Sequence, residues 1–229
     1  MTTMGKRTEE AKKLVDAKKT YTMKDAVALL KSLPKAGFDE GVELHVNLGI
    51  DPNKGDQQVR GTIAFPNGVG KSKRVAAFVE AAKEAEAKQA GADIVGGEEL
   101  INEIATKGVI AFDVAVATPA MMPKIAKLAK LLGPKGLMPN PKNDTVGANV
   151  VKMIAEQKAG KQSFKNDTTG NIHQLVGRVS MTEAQLTENL APFVDLLRKI
   201  KPATSKGIYF RNAVLTTTMG PSVKVDLNS

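Results

Sequence analysis

The sequence of 229 residues contains no cysteine and only two histidines, His45 and His173. The absence of cysteine excludes disulfides, thiolate metal sites and cysteine nucleophiles, and it is typical of cytoplasmic proteins. A metal site would need the fold to bring both histidines and several carboxylates together, so we expect polar surface or core roles for them instead. We therefore predict neither a metal nor another cofactor.

Long apolar segments are also missing. The apolar runs are interrupted by Lys, Gly or Pro, and none approaches the roughly 20 residues that a membrane-spanning helix needs. The first residues, MTTMGKRTEEAKKL, have no apolar segment behind their charges, which argues against a secretory signal. We expect a cytoplasmic protein with no membrane partner.

Aromatic residues are scarce, whereas positive charge is abundant. Aromatics make up 4% of the chain, tryptophan is absent, and 33 Lys and Arg face 24 Asp and Glu, for a net charge of +9. Such a charge indicates a polyanionic partner, although a basic protein with solvated helix faces is the alternative. Proteins that stack single-stranded bases need aromatic platforms, whereas folded RNA is recognised through shape, phosphates and 2′-hydroxyls. The composition therefore favours folded RNA.

The pattern of predicted helices and strands changes twice along the chain. Near the N-terminus a charged helix over 5–19 and a helix capped by Thr22 precede alternating segments at 42–48 and 59–65, which predict a two-stranded hairpin. From 71 to 159 an Ala-rich helix over 71–90 is followed by short apolar strands that alternate with helices, including one over 120–133. After residue 160 alternating strands return around an amphipathic helix capped by Thr182.

This pattern predicts two domains. Residues 1–67 and 160–229 are expected to form one discontinuous α+β sandwich domain from both termini, and 68–159 an inserted three-layer α/β, Rossmann-like domain. The excess positive charge lies in the outer domain: in the N-terminal helix, at 158–178 against one acid, Asp167, and at 198–211 with no acid. The outer domain is therefore the expected site of polyanion binding.

The segment FPNGVGKSKR, residues 65–74, raises the alternative of a nucleotide-hydrolysing enzyme. The phosphate-binding P-loop requires a glycine five positions before Gly70, where this chain has Phe65. We interpret the segment as a hinge, with a weak anion site at the start of the following helix as a lesser alternative. The predicted hinge residues at the two domain crossings are Pro66, Gly68, Gly70 and Gly160. No nucleophile elbow or zinc-hydrolase motif occurs, and we predict that the protein is not an enzyme.

Four segments carry a family resemblance: FDEGVELHVNLGID at 38–51, GADIVGGEELI at 91–101, KLLGPKGLMPNPK at 130–142 and TTTMGPSVKV at 216–225. Together they resemble the bacterial large-subunit ribosomal protein L-one family, over nearly the whole chain. The resemblance implies a monomer when free that binds folded large-subunit rRNA at the mobile stalk near the tRNA exit site, and that assists release of deacylated tRNA. It also implies translational repression through the protein's own mRNA.

The resemblance further implies an RNA-binding surface on the outer domain. In isolation, NDTTGN at 166–171 fits a plain hairpin turn, and TTTMGPS at 216–222 fits a strand that runs into a turn. Matched segment by segment, the implied RNA-binding residues are Phe38, Asp39, Glu40, Glu43, Lys165, Asp167, Thr168, Gly170, His173, Thr217, Thr218, Met219, Gly220 and Pro221. A general nucleic-acid-coating protein remains the alternative to specific recognition. For the Gly- and Pro-rich loop at 133–142 we favour a structural role.

Overall fold

The computed structural model describes residues 5–34, 36–70 and 73–227, with the side chain of Lys142 left out. The helices are α1 (Lys6–Leu14), α2 (Met23–Ser32), α3 (Glu84–Gln89), α4 (Glu98–Lys107), α5 (Met122–Ile125), α6 (Ala129–Leu132), α7 (Val150–Lys158) and α8 (Glu183–Lys199). The strands are β1 (Gly41–Leu48), β2 (Arg60–Ile63), β3 (Val75–Phe78), β4 (Ile94–Gly96), β5 (Val114–Ala117), β6 (Gln162–Lys165), β7 (Asn171–Arg178), β8 (Phe210–Thr217) and β9 (Val223–Lys224).

The chain divides into two compact units, one of Met1–Gly70 with Phe164–Ser229 and one of Lys71–Ser163. The first unit combines helices with an antiparallel sheet, and the second has a parallel sheet between helices. The predicted mixed α+β and α/β fold class is therefore confirmed. The functional domain limits expected after residue 67 and before residue 160 stay a prediction.

The sheet of the first unit has the strand order β7-β1-β8-β9, and all its pairs are antiparallel. Along β1 the side chains alternate, with Leu44, Val46 and Leu48 buried and the residues between them half-buried. Helices α2 and α8 pack with the buried side chains of this sheet in one core. The other face of the sheet carries the half-buried polar side chains of β1, which are Glu43, His45 and Asn47.

Two side-chain caps start the helices of this core. Thr22 Oγ1 accepts the Asp25 N–H at the start of α2. At α8, Thr182 and Gln185 form a reciprocal capping box, which satisfies amides that a helix start leaves without partners. Both caps were predicted from the sequence. Helix α1 is shorter than expected and ends at Leu14.

The predicted hairpin of 42–48 with 59–65 is wrong. β1 lies between β7 and β8, and β2 pairs with β6 in a separate two-stranded sheet. Asn166 holds the end of this second pairing, because its Oδ1 accepts the Val59 N–H at 2.8 Å and its own N–H donates to the Val59 carbonyl at 3.0 Å. Alternation identified the faces of the strands, but it carries no information on which strand pairs with which.

The second unit has a parallel sheet of order β4-β3-β5 with an apolar core on each face. The expected helix over 71–90 is wrong: Val75–Phe78 form the central strand and only Glu84–Gln89 are α-helical in this stretch. The strand is fully buried, so it shows no alternation that distinguishes it from a helix. The expected continuous helix at 120–133 is divided by a 3-10 turn between α5 and α6.

The strand β3 also removes the basis for an anion site after Gly70. The described residues that follow Gly70, starting at Lys73, lead into a strand and not into a helix N-terminus. Among the described helices, none is long and apolar enough to cross a membrane.

Candidate nucleic-acid interface

Two segments of the predicted RNA surface meet at one end of the four-stranded sheet. The Thr218 N–H donates to the Gly41 carbonyl, and the Gly41 N–H donates to Thr218 Oγ1, each at 3.0 Å. Val42 faces Thr217 in the β1–β8 register. The segment that begins at Phe38 is thereby joined to the turn that ends at Pro221, although nearly 180 residues separate them in sequence. We call residues 38–41 and 217–221 the proximal site.

The carboxylate of Glu40 lies at the centre of the proximal site. Glu40 is 4% exposed. One carboxylate oxygen accepts the Ala36 N–H at 2.9 Å and an Arg7 guanidinium N–H at 3.3 Å, and the other accepts the Met219 N–H at 3.0 Å. Burial opposes ionisation, but the hydrogen bonds from Thr217, Met219 and Ala36, with the charge of Arg7, outweigh it and lower the pKa of Glu40. Glu40 thus holds three segments together as a buried anion.

The exposed part of the proximal site is apolar and small. Phe38 is 54% exposed and Met219 is 55% exposed, although both are large apolar side chains. Gly220 lies directly against Thr217, where a Cβ would overlap the Thr217 hydroxyl oxygen. The half-buried Pro221 follows it. Glycine at position 220 therefore permits the tight turn, and the two exposed apolar side chains suit contacts to ribose and base edges.

Asp39 is engaged by the protein itself. Its carboxylate accepts the Ser180 N–H at 3.1 Å and the Ser180 hydroxyl at 2.9 Å. Its backbone carbonyl accepts a guanidinium N–H of Arg178 at 2.7 Å. These contacts fix the path of residues 38–40, and the exposed edge of the Asp39 carboxylate stays available as an acceptor for 2′-hydroxyls.

The other predicted segment, 165–173, lies at the opposite end of the sheet. Leu48, the last residue of β1, donates its N–H to the Gly170 carbonyl at 2.9 Å. With about 3.4 Å per residue, the eight residues of β1 separate the two ends by about 24 Å. We call residues 165–171 the distal loop. Lys165 and Thr168 are exposed there, and Gly170 is buried.

Asp167 shapes the distal loop. Its carboxylate accepts the backbone N–H groups of Thr169 at 2.9 Å and Asn171 at 2.7 Å, as well as the Thr169 hydroxyl. Burial works against the charge, but the hydrogen bonds from Asn171 and Thr169 dominate and hold the pKa of Asp167 well below its usual range. Like Glu40, Asp167 acts first as an anchor for backbone amides.

A ladder of side chains crosses the open face of the sheet between the two ends. His45 and His173 are paired residues on β1 and β7, and their Nδ1 atoms lie 2.7 Å apart. Glu43 Oε2 is 3.6 Å from His45 Nε2, and Asp167 Oδ2 is 3.5 Å from His173 Nε2. Burial and the neighbouring His173 lower the pKa of His45, while Glu43 opposes the shift. The predicted residues Glu43 and His173 are thus joined in one chain of contacts.

Comparison with known proteins identifies the family of the chain. Residues 29–221 match the sequence model of the ribosomal protein L1p/L10e family. The chain belongs to this family. It is 49% identical over 222 residues to "Large ribosomal subunit protein uL1" of Kosmotoga olearia, covering 97% of this chain and 96% of that relative. The protein of the same name from Fervidobacterium nodosum is 49% identical over 224 residues, covering 98% and 95% of the two chains.

A third relative of that name, from Solibacter usitatus, is 47% identical over 222 residues, covering 97% of this chain and 93% of the relative. The resemblance stated from the sequence is therefore confirmed. This L1p/L10e family protein is a structural component of the large ribosomal subunit and not an enzyme. Within the described residues, no group of three or more His, Asp or Glu is placed to hold a metal ion.

The predicted hinge residues of this L1p/L10e family protein differ in how firmly hydrogen bonds and packing hold them. Asn189 of α8 is fully buried, and its amide donates to the carbonyls of Gly68 and Val176, each at 2.8 Å. Its Oδ1 accepts the Asn67 N–H at 3.2 Å. Pro66 is exposed, but its neighbours Phe65 and Val69 are buried in the core of the first unit. These contacts hold the chain in place as far as Val69.

Gly70 is exposed and has a φ of 79°, a left-handed conformation that glycine adopts without strain. At the return crossing, Gly160 precedes Lys161, whose ammonium group contacts Asp144 at 2.9 Å and Glu156 at 2.7 Å within the second unit. Phe164 already packs against Phe193 in the first unit. We therefore expect a pivot at Gly70, whereas residues 162–163 already belong to β6, which pairs with β2. The role of Pro66, Gly68 and Gly160 as hinge residues stays a prediction.

Sequence reasoning missed several residues that organise the proximal site of this L1p/L10e family protein. Arg7, Arg178 and Ser180 position Glu40 and Asp39, yet each is distant in sequence from its partner. Asn189 was also missed. Its only sequence signal is an uncharged polar residue on the apolar stripe of an amphipathic helix, between Leu186 and Leu190.

Proposed function

We propose that the protein binds a folded region of large-subunit rRNA through its first unit, at the base of the mobile stalk near the exit site for deacylated tRNA. There it assists release of that tRNA. The observation that carries this proposal is the proximal site, where the buried Glu40 joins both predicted segments and leaves Phe38 and Met219 exposed. Exposed apolar side chains on a preformed turn suit the sugar edges of folded RNA.

Three further observations support this proposal. Its open face carries hydrogen-bonding side chains in register, including the pair Asn47–Asn171, joined at 2.6 Å, and the pair His45–His173. The proximal site and the distal loop mark the two ends of that face, about 24 Å apart. The net charge of +9 supplies long-range attraction to phosphate. All fourteen residues implied by the resemblance lie at these ends or on the face between them.

Affinity for the folded rRNA of the stalk base tests the proposal directly. Equilibrium binding is measured for this fragment and for an unrelated duplex of equal length, at several salt concentrations. We expect affinity for both to fall with salt, with the rRNA fragment preferred at every concentration. Equal affinities would instead indicate a general nucleic-acid-coating protein. Tight binding and hydrolysis of ATP would support the alternative of a nucleotide-hydrolysing enzyme.

We also propose that the protein represses translation by binding a similar fold in its own mRNA. The support is that one surface can serve both RNAs, because a single preformed shape at the proximal site recognises any RNA that presents the same backbone geometry. The rRNA fragment should displace the mRNA leader from the protein in a one-site manner, and both affinities should fall together in Met219→Ala. Independent binding of the two RNAs would refute a shared site.

A further inference from the structure

Beside the distal loop lies a second loop, residues 201–211, which the proposed RNA surface does not include. We call it the basic loop. Residues 196–225 contain no Asp or Glu, while Lys199, Lys201, Lys206 and Arg211 are all exposed. Within the described chain, none of these four side chains forms a salt bridge. Unpaired cations grouped at one place indicate an anionic partner more strongly than charges spread over helix faces.

The basic loop is held rigidly against the end of β1. The buried Ser205 donates its hydroxyl to the Gly49 carbonyl at 2.8 Å, and the Gly49 N–H donates to the Tyr209 carbonyl at 2.7 Å. A Cβ on Gly49 would overlap the Ile208 carbonyl oxygen and would lie 3.5 Å from Arg211 Nε. Only glycine at position 49 therefore lets the loop approach this closely. A loop fixed in advance loses little conformational entropy when it binds.

The exposed tip of the loop combines charge with one apolar side chain. Ile208 is 77% exposed, more than any other large hydrophobic residue whose burial the structure describes. Tyr209, by contrast, is buried, and Lys201 lies over its ring at 5.6 Å. Because its ring is buried, Tyr209 offers no platform for base stacking, and the half-buried Phe210 packs against the core. Cations around a single aliphatic side chain suit the phosphates and sugars of an RNA backbone instead.

The loop also lies next to a predicted RNA contact. Leu48 and Gly49 are consecutive residues of the chain; the N–H of the first holds Gly170 of the distal loop, and the N–H of the second holds Tyr209. An RNA that follows the open face of the sheet from the proximal site to the distal loop would therefore reach the basic loop.

We propose that residues 201–211 form a second RNA subsite, in which Lys201, Lys206 and Arg211 contact phosphates and Ile208 contacts an adjoining sugar. This proposal rests on the proposed rRNA binding and extends it. Arg211 can engage one phosphate with two parallel N–H groups, whereas each lysine contributes a single point charge. The subsite adds affinity without base specificity, and the proximal site supplies the recognition.

The test compares two triple variants of the full chain. Lys201, Lys206 and Arg211 are replaced by Gln in the first; Lys88, Lys127 and Lys130, exposed residues of the second unit, are replaced by Gln in the matched control. Affinity for the rRNA fragment of the stalk base is measured across salt concentrations. Each lost phosphate contact reduces the slope of log affinity against log salt by about 1. We expect a slope about 2 to 3 less steep for the first variant and an affinity loss of at least about tenfold, with little change in the control.

Two further readouts sharpen the result. Ile208→Ser should weaken binding severalfold without changing the salt slope, since no charge is lost. Hydroxyl-radical footprinting should show that the Lys201, Lys206 and Arg211 variant loses protection of the RNA segment next to the distal loop and keeps the protection at the proximal site.

Other outcomes overturn the subsite. Equal slopes and footprints for both triple variants would show that the loop does not touch the RNA. An unchanged rRNA footprint with loss of incorporation into the subunit would assign the loop to a protein partner. If the parental protein fails to bind the fragment at all, the proposed function fails as well, which distinguishes the two failures.

Discussion

The carboxylate of Glu40 accepts the backbone N–H of Met219 at 3.0 Å, across a sequence separation of 179 residues. The same carboxylate binds the Ala36 N–H and Arg7. A residue expected to contact RNA is thus buried and engaged by protein donors. In our account Glu40 positions the proximal site, and the exposed Met219 and Phe38 make the contact.

Replacing Glu40 by Gln should destabilise the protein and weaken rRNA binding together. The amide nitrogen would face donors where a carboxylate oxygen now accepts, so we expect a loss of about 2 to 3 kcal/mol in the free energy of unfolding. Urea denaturation measures this loss. Glu10→Gln, an exposed change on α1, is the control and should have no effect. A stable Glu40→Gln protein with normal affinity would contradict the positioning role.

The stabilisation by Glu40 should depend on pH. Because the pKa of Glu40 is lowered below its ordinary value of 4.5, the ionised form is favoured by folding. The contribution is fully present above that ordinary value and is lost as the pH falls through the lowered pKa. The stability difference between the parental protein and Glu40→Gln should therefore be constant above about pH 5 and should shrink in more acidic solution.

Met219→Ala should weaken rRNA binding without unfolding the protein. Loss of an exposed apolar contact of this size corresponds to about 1 to 2 kcal/mol, or roughly five- to thirtyfold in affinity. Leu14→Ala is a matched control, because both side chains are 55% exposed on the same unit. Equal affinities of the two variants would show that the proximal site is misplaced.

Thr218→Val should also weaken rRNA binding, but with a cost to stability. The hydroxyl of Thr218 accepts the Gly41 N–H at 3.0 Å, and valine cannot replace that acceptor. We expect a loss of about 1 kcal/mol in the free energy of unfolding. Thr218→Ser keeps the hydroxyl and should restore most of the stability. A valine variant as stable as the parental protein would show that this hydrogen bond contributes nothing.

The protonation of His45 should depend on its neighbour His173. Two Nδ1 atoms at 2.7 Å share a single proton, so protonation of both rings breaks their hydrogen bond. NMR titration should give a pKa for His45 below the ordinary 6.5, and His173→Gln should raise it. Glu43→Gln should lower it further, because that carboxylate favours the charged ring. With its pKa lowered on folding, His45 contributes stability above pH 6.5 that is lost as the pH falls towards the folded pKa.

Asn189→Ala should make residues 67–68, which precede the predicted pivot at Gly70, more mobile. The change leaves the carbonyls of Gly68 and Val176 and the Asn67 N–H without partners, and we expect a loss of about 2 to 4 kcal/mol in the free energy of unfolding. Hydrogen exchange at the Asn67 amide should accelerate. Asn67→Ala removes only more exposed side-chain bonds and should cost less than about 1 kcal/mol. Unchanged slow exchange of the Asn67 amide in Asn189→Ala would show that the hydrogen bonds of Asn189 do not hold this segment in place.

Local signals in the sequence predicted local structure well. Thr182 predicted the start of α8, and the alternation at Val42–Leu48 predicted which face of β1 is buried. The partners of β1 were not predictable from alternation, since pairing is decided by contacts distant in sequence. The buried strand at Val75–Phe78 was mistaken for a helix because an Ala-rich run without alternation fits both structures.

The candidate site followed from family resemblance more than from physics. The turn residues around Met219 and Asp167 carry no signal that distinguishes an RNA contact from an ordinary turn. The resemblance named Glu40 but could not give its role, because its partner Arg7 is 33 residues away and their contact exists only in the fold. The basic segment at 198–211 was recognised from charge alone, but the approach of its loop to Gly49 required the structure.

The proposed function requires that the first unit alone recognises folded rRNA. The most direct measurement replaces residues 71–161 by a short Gly-Ser linker, confirms the fold by dispersed NMR amide signals, and determines affinity for the rRNA fragment and an unrelated duplex. We predict affinity for the fragment within about tenfold of the full chain, with the preference over the duplex retained. A well-folded unit that binds both RNAs equally, or neither, would contradict the claim.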